Sequence, residues 1–403
     1  MMKEATKKID KEHMKRSNRQ LVFHEIHRSG SISRRQLSKL TGLTPMSVGR
    51  IADELIGMGV VTELEENDQE TEKEQAHMVG RRPKMLQIVP DRMLSPALEL
   101  DRNRIRAGIM DIHGRILVQT EHRENLAELT PEEVVELCAS QLEELSQRAE
   151  KLLQGQREPF EVLGVVCPGI VDSKRGIVRF SSQLQWQDVG FVKMLRERLG
   201  IENIQLDNEV KARGQAEATF GAGQNLKRVA LLNIGSGVGS CLVIRRKIYR
   251  GKGNMAGEIG HVCIDPNGML CECGQRGCLQ TYLSDLSLLQ DARKFDPNCT
   301  LDTLFAAYGR QETWAINIIM HAVRYVVLAI EMLRNLYAPN IIVLCGKMIE
   351  SYPQLQQAIL DEYRSKRSRY DNEMELAVSH FGKDGNLIGA GTLALNLNFE
   401  VKA

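Results

Sequence analysis

Apolar residues recur at helical spacing from Asn18 to about Met58 and at strand spacing through much of the rest. From Asn18, the positions Leu21, Val22 and Ile26 share one helical face, and the pattern breaks at Ser29-Gly30. Ser33 predicts the cap of a second helix, with Leu37 and Leu40 inward and a stop at Thr41-Gly42. Thr44 followed by Pro45 predicts a third start, because a hydroxyl cap and a proline at the first helical position suit the unsatisfied N–H groups there. That helix runs through Val48, Ile51, Ala52 and Leu55 to Met58-Gly59. Two helices joined by a short glycine-containing turn form a helix-turn-helix, and runs at 60–64 and 85–89 predict a β-wing beside it. Such a unit places the start of its last helix in a DNA major groove. Met46, Ser47, Gly49 and Arg50 are therefore the candidate base-facing residues, and Thr44, Arg34 and Arg35 are further candidate DNA-binding residues.

From about Met93 the texture changes to strands alternating with helices. Runs at 97–101, 106–111 and 116–121 predict a three-stranded meander, followed by an amphipathic helix at 131–153 and a buried strand at 162–167. Residues 170–172 are read as a turn, 204–206 as a short strand and 210–220 as a helix. A strand at 229–234 enters the glycine-rich turn GSGVGS at 235–240, and another strand follows at 241–245. A long helix at 314–336 and a strand at 341–344 complete the pattern. This order predicts an α/β body whose sites lie at strand ends. The chain divides into residues 1–90, a winged helix-turn-helix with its linker, and residues 91–403, an α/β body.

Charge sharpens the reading of the head. The whole chain carries a net charge of +1, but residues 1–60 hold twelve Lys/Arg against six Asp/Glu. A basic end on a neutral chain is the electrostatic footprint of a nucleic-acid partner, here double-stranded DNA. Between the wing strands an acidic stretch gives way to Gly80-Arg81-Arg82-Pro83, and Arg81 and Arg82 suit a narrow minor groove. No uninterrupted apolar run of about eighteen residues is present, and the charged start lacks a signal-peptide core, so no membrane insertion and a cytoplasmic location are expected. Nine cysteines, three of them clustered, fit a reducing compartment and a metal rather than disulfides.

The cluster is the most specific chemistry in the chain. His261, Cys271, Cys273 and Cys278 combine one imidazole with three thiols in a loop that Gly268, Gly274 and Gly277 allow to turn tightly. Isolated core cysteines would have no reason to fall as Cys-x-Cys-x4-Cys after a histidine. Four soft protein ligands close a tetrahedron around Zn²⁺, which makes the expected ion structural rather than catalytic.

The pattern Gly260-His261, Cys271, Cys273-Gly274, Gly277-Cys278 resembles the zinc signature of the ROK family of repressors, open reading frames and kinases. The resemblance covers essentially the whole chain and points to the repressor branch with an N-terminal winged helix. It implies an actin-like, sugar-kinase-like body of two lobes with a sugar cleft and a structural zinc loop. Within that cleft it assigns sugar hydroxyls to Glu258 and His261, and further contacts to Asn208 and Glu209. His261 would bind zinc with one nitrogen and offer the other to the sugar. Gln280 stands where the family carries a glutamate, which alters the hydrogen-bond inventory and leaves a sugar or a sugar phosphate as the effector class.

Kinase chemistry needs a Gly-Gly-Thr turn for ATP phosphates, and that position reads Leu98-Glu99-Leu100-Asp101-Arg102-Asn103. The catalytic aspartate of the family is replaced by Glu209, which lengthens the arm of any base. The second phosphate turn survives as GSGVGS. These departures favour a non-enzymatic, sugar-responsive regulator that represses carbohydrate genes as a homodimer or tetramer on its operator. The competing readings are a sugar kinase with a retained DNA-binding head and a repressor controlled by a sugar-transport protein.

Overall fold

A computed structural model describes residues 2–64, 84–89, 93–152, 160–366 and 373–401. The head begins with α1 (Met2–Ser29), a short strand β1 (Ser31–Ser33), α2 (Arg34–Thr41), α3 (Pro45–Gly57) and the strands β2 (Val61–Leu64) and β3 (Met85–Ile88). The caps fall where the sequence puts them. Ser33 accepts from the Gln36 amide while the Gln36 side chain accepts from the Ser33 amide, and Thr44 accepts from Ser47 with Pro45 at the first helical position. Gly42 closes α2 with φ of 71°, and α3 buries Val48, Ile51, Ala52 and Leu55. The strands order as β1-β3-β2, all antiparallel. Two features differ from the sequence reading. Helix α1 reaches back to Met2 across a charged stretch without apolar period, and β1 adds a third strand to the wing.

The upper lobe holds β4 (Ser95–Asp101), β5 (Arg104–Met110), β6 (Ile116–His122), α4 (Pro131–Leu152), β7 (Val162–Cys167), β8 (Ile170–Asp172), β9 (Ile177–Ser181), β10 (Trp186–Val189), α5 (Phe191–Leu199), β11 (Asn203–Asn208) and α6 (Glu209–Phe220). Residues 170–172, expected as a turn, pair with β9 instead, and β8–β10 make a small sheet of their own. The lower lobe holds β12 (Arg228–Ile234), β13 (Val238–Ile244), β14 (Lys247–Ile248), α7 (Gln280–Leu283), α8 (Asp285–Ala292), α9 (Leu301–Gly309), α10 (Thr313–Tyr337), β15 (Ile341–Cys345), α11 (Lys347–Ser351), α12 (Pro353–Ser365) and β16 (Glu375–Val378). The chain closes with α13 (Gly385–Val401), which returns to the upper lobe.

The two main sheets repeat one topology. In the order β6-β5-β4-β7-β11 and again in β14-β13-β12-β15-β16, an antiparallel meander feeds two strands parallel to its first member. Sequence periodicity gives no hint of the repeat, because it lies in strand pairing. The parallel strands are apolar on both faces: β7 and β15 are buried throughout, as expected of strands covered by helices on each side. Helix α10 is long and apolar enough to cross a membrane, with mean hydropathy 1.6, although no uninterrupted apolar run was expected. It serves as the core helix of the lower lobe, burying nine residues against β15 and the helices around it.

Helix α13 lies on β4, β7 and β11 at backbone distance. A Cβ on Gly164 of β7 would stand 1.9 Å from the carbonyl oxygen of Ala390. The far end of α13 receives the head. The buried Arg19 guanidinium of α1 donates to the carbonyl of Phe399 at 3.0 Å and to Glu54 of α3 at 3.0 Å, and Phe23 packs on the Phe399 ring at 4.4 Å between centroids. One apolar cluster runs from Val22, Ile26 and Leu55 of the head through Met110 and Ile112 to Ile388 and Leu395 of α13. Gly164→Ala is expected to lift α13 from the sheet and destabilise the protein by about 1–3 kcal/mol, read as a lower urea midpoint. An unchanged midpoint would mean the contact relaxes freely.

Candidate effector cleft, metal centre and nucleic-acid face

Three of the four cysteine-loop side chains converge on the fourth. The candidate ligand atoms of His261, Cys271, Cys273 and Cys278 all lie within 4.8 Å of one another. Nδ1 of His261 is 3.6 Å from Sγ of Cys271, and the sulfurs of Cys273 and Cys278 are 3.6 Å apart. A tetrahedron with metal–sulfur bonds of about 2.3 Å has sulfur–sulfur edges of about 3.8 Å, whereas a disulfide would bring sulfurs to about 2.05 Å. The residues therefore fit a tetrahedral ion. Short antiparallel bridges hold the loop, Cys263 with Cys278 and Leu270 with Arg276. Tyr282 fastens it to Asp265 at 3.2 Å. Because Nδ1 faces the sulfurs, Nε2 of His261 is left for a second partner.

The metal loop is continuous with the cleft. Gly257, at φ of 93°, lets the preceding chain lie against β13, where a Cβ would be 2.1 Å from the carbonyl oxygen of Ser240. That contact delivers Glu258, half-buried, and then His261. On the facing side β11 ends at Asn208, which caps α6: its Oδ1 accepts from the amides of Val210 and Lys211, and its Nδ2 donates to the carbonyl of Gly169 at 3.0 Å. Glu209 follows. Burial raises its carboxyl to about 8, and the nearby carboxylates of Asp101, Glu258 and Glu99 push in the same direction. Gln280 bridges the glycine-rich turn and the metal loop, accepting from the Val238 amide at 3.4 Å and donating to Glu272 at 2.8 Å.

Sequence reasoning passed over the polar network beneath these residues. Asp207 is fully buried and pairs with Arg250 through two bonds of 3.0 and 2.6 Å. Asn254 donates to the carbonyl of Val171 at 2.8 Å and accepts from Arg250 at 3.2 Å. Lys211, 2% exposed, donates to the carbonyl of Asn254 and lies 3.5 Å from Glu258. Nothing in the sequence singles out Lys211, because α6 also carries Glu209, Arg213 and Glu217; only its burial shows that it must find a partner.

The two turns that would serve nucleotide phosphates differ from one another. Between β4 and β5 the turn carries Asp101, and just behind it Glu99 is fully buried against Arg106 at 3.2 Å and Arg104 at 3.4 Å. Arg106 is itself saturated by Asp384, Gln119 and the carbonyl of Lys383. Burial holds the Glu99 carboxyl above its usual range despite both arginines. The second turn keeps its glycines, but Asp285 donates its amide to Gly235 and sets a half-buried carboxylate beside them, raised by burial and only partly offset by Lys347.

On the head, the candidate DNA residues separate by what they touch. Met46 is 86% exposed, and Arg35 and Arg50 are exposed beside it. Thr44 and Ser47 hold each other at 3.0 Å as the cap of α3. Arg34 departs from the expectation of a free DNA-binding side chain. Its guanidinium pairs with Asp53 and Glu63 at 2.7 Å each and so ties α2 to α3 and β2. Arg81 and Arg82 lie outside the described residues.

A two-lobed, sugar-kinase-like α/β body with a helix-turn-helix head is the class of protein these features define. The chain belongs to the ROK family, whose pattern it matches over residues 96–396. It is 25% identical over 391 residues to the xylose repressor of Bacillus spizizenii, covering 96% of this chain and 97% of that one. It is 26% identical over 358 residues to the DNA-binding transcriptional dual regulator NagC of Escherichia coli, covering 86% and 84%. Among solved structures, a ROK family transcriptional regulator homologous to the E. coli MLC protein superposes with a TM-score of 0.79 at 24% identity, over 97% of this chain and 98% of that one. The ROK hexokinase of Thermus thermophilus gives 0.65 at 28% identity, over 77% and 99%.

The half-buried Glu209 yields a pH signature. Its carboxyl ordinarily titrates near 4.5 and in the fold near 8, so the folded state holds the proton more tightly. The stability this contributes is fully present below about 4.5 and is lost as pH rises towards about 8. Glu209→Gln is expected to flatten the fall of the thermal midpoint across that window. An unchanged slope would show that Glu209 is ionised in the folded protein.

Proposed function

We propose that this protein is a sugar-responsive transcriptional repressor of carbohydrate genes, in which the cleft binds the effector and the head binds the operator. The observation that carries the reading is the joint between α1 and the body. The head is not a tethered module, because Arg19 and Phe23 fasten it to the last residues of α13. Helix α1 also meets turns from both lobes. His27 lies 2.9 Å from His113 at the β5–β6 turn, and the Arg246 charge at the β13–β14 turn helps depress protonation of His24 and His27, after burial. A change in the angle between lobes therefore moves the seat of α1. The full-length match to a xylose repressor supports the same reading.

In this reading Met46, Arg50 and Arg35 approach the major groove, Thr44 and Ser47 orient the helix, and Arg81 and Arg82 enter the minor groove. Arg34 positions the other two elements rather than touching DNA. Glu258, Nε2 of His261, Asn208 and Glu209 bind sugar hydroxyls, and Gln280 keeps the metal loop against the glycine-rich turn. His261, Cys271, Cys273 and Cys278 hold one structural Zn²⁺, which fixes the His261 ring for the sugar. The protein acts as a homodimer on a two-fold operator or as a tetramer, in the cytoplasm. Two partners of other classes remain proposals of lower rank: a sugar-transport protein acting on the head, and ATP in a residual kinase site. The acidic β4–β5 turn argues against the second.

Metal analysis of the purified protein is expected to give one zinc per chain, and Cys273→Ser to lose it together with operator binding or its control. A metal-free chain with intact regulation would remove zinc from the reading. Binding to the chain's own upstream DNA, titrated with a panel of sugars, tests the function itself. Specific binding should weaken by about 5–150-fold with one sugar, the range of ordinary allosteric coupling. Arg50→Ala should lower operator affinity, and Arg19→Ala should bring the sugar effect towards one-fold while leaving sugar affinity in place. Binding that no sugar alters would transfer control to a protein partner.

A further inference from the structure

We propose that Lys211 sets the charge class of the effector: held in a closed ion pair with Glu258, in a region whose other cations are also paired, it commits the site to an uncharged sugar and excludes sugar phosphates. This inference rests on the effector reading above. Its ground is the disposition of charge around the ends of β11 and α6. The cations that reach this region have carboxylate partners. Lys211 faces Glu258 at 3.5 Å, Arg250 grips Asp207 at 2.6 and 3.0 Å, Arg104 pairs with Glu99 at 3.4 Å and Asp101 at 3.5 Å, and Arg106 pairs with Glu99 at 3.2 Å. Among the described residues in these contacts, no positive charge is left over for a ligand anion.

Glu209 is the carboxyl of this group that no cation meets in these contacts. Burial raises its carboxyl, and Asp101 from the β4–β5 turn, Glu258 from the metal loop and Glu99 push in the same direction. A site that makes a carboxylic acid retain its proton near neutral pH is more hostile still to a phosphate monoester, which carries about −1.5 to −2 charges. An uncharged polyol meets no such penalty. Glu258 offers it an acceptor, and protonated Glu209 offers a donor as well as an acceptor.

Lys211 acts through Glu258 rather than by touching the ligand, because its ammonium is buried and already bonded to the carbonyl of Asn254. It is a positioning residue, and it makes a prediction that a merely structural lysine would not. Removing Glu258 strands a buried cation at the cleft floor, whereas removing Lys211 strands an anion. The two changes should shift preference in opposite directions.

The experiment is calorimetric titration of the full-length protein with xylose, glucose, N-acetylglucosamine and N-acetylmannosamine, each beside its terminal phosphate ester. One uncharged sugar should bind at least tenfold more tightly than its ester. Glu258→Gln should move that ratio at least tenfold towards the ester, Lys211→Met should move it away from the ester, and Lys211→Arg should restore it. An ester that binds the unaltered protein as well as its parent sugar overturns the charge inference and leaves the effector reading standing. Loss of affinity in both variants without a change of ratio overturns the role of Lys211. Binding of neither form overturns the effector reading and this inference with it. Should Lys211→Met fail to fold, the ratio in the unaltered protein and in Glu258→Gln still decides.

Discussion

Strand β7 and helix α13 approach so closely at Gly164 and Ala390 that no side chain fits between them. The rest of the molecule depends on that seat. It brings the end of the chain back to the first lobe, places Phe399 at the lobe's outer end, and presents a backbone carbonyl to Arg19, which lies 380 positions away in sequence. Both polar ends of the helix are tied: the corner before it receives Arg106 and Arg213, and its last turn receives Arg19. A helix held this way transmits displacement instead of absorbing it. The apolar cluster of the head continues into Met110, Ile112, Ile388 and Leu395, so division of the chain at residue 90 follows sequence, while the core crosses that line.

In the proposed reading, one architecture separates sugar binding from phosphoryl transfer. The ends of β11 and α6, the cysteine loop and the glycine-rich turn supply the proposed sugar contacts. The β4–β5 turn, in contrast, is occupied by the carboxylates of Asp101 and Glu99, with Arg104 and the saturated Arg106 paired to them. Those carboxylates stand where the family's turn would present backbone amides to a phosphate. The four candidate ligand atoms lie within 4.8 Å of one another, and Gln280 connects their loop to the glycine-rich turn through the Val238 amide.

Much of this was legible in the sequence, for identifiable reasons. Helices α2 and α3 announced their starts through Ser33, Thr44 and Pro45, because capping chemistry is local. Strand β7 appeared at its full extent, since a strand covered on both faces is an unbroken apolar run. The metal ligands were legible because they share one loop. What escaped depends on partners distant in the chain. Residues 170–172 become a strand only by pairing with β9, and α13 is apolar around its whole circumference, so it has no period to read. Charged residues 2–17 showed no face at all. Arg34 looked like a surface cation until Asp53 and Glu63 closed on it, and the roles of Lys211 and Arg250 are set by Asn254, Glu258 and Asp207, none of which lies at a diagnostic spacing.

A regulator has a different requirement from an enzyme with the same body. An enzyme must bind its transition state more tightly than its substrate, whereas a regulator must bind one of two conformations of itself more tightly than the other. The network that spans the cleft meets the second requirement. Asn254 reaches across from the lower-lobe loop to the carbonyl of Val171, and Arg250 to Asp207, so the lobes already share ordered polar contacts without a ligand. In the proposed reading, a sugar that bridges Glu258 and Glu209 adds to these contacts and so favours the conformation that holds them. The same economy accounts for the joint with the head. Helix α1 rests on turns from both sheets and on the end of α13, so a modest rotation between lobes is converted into a displacement of α3 through the Arg19–Glu54 pair. Sensitivity arises because the effector and the operator compete over one angle.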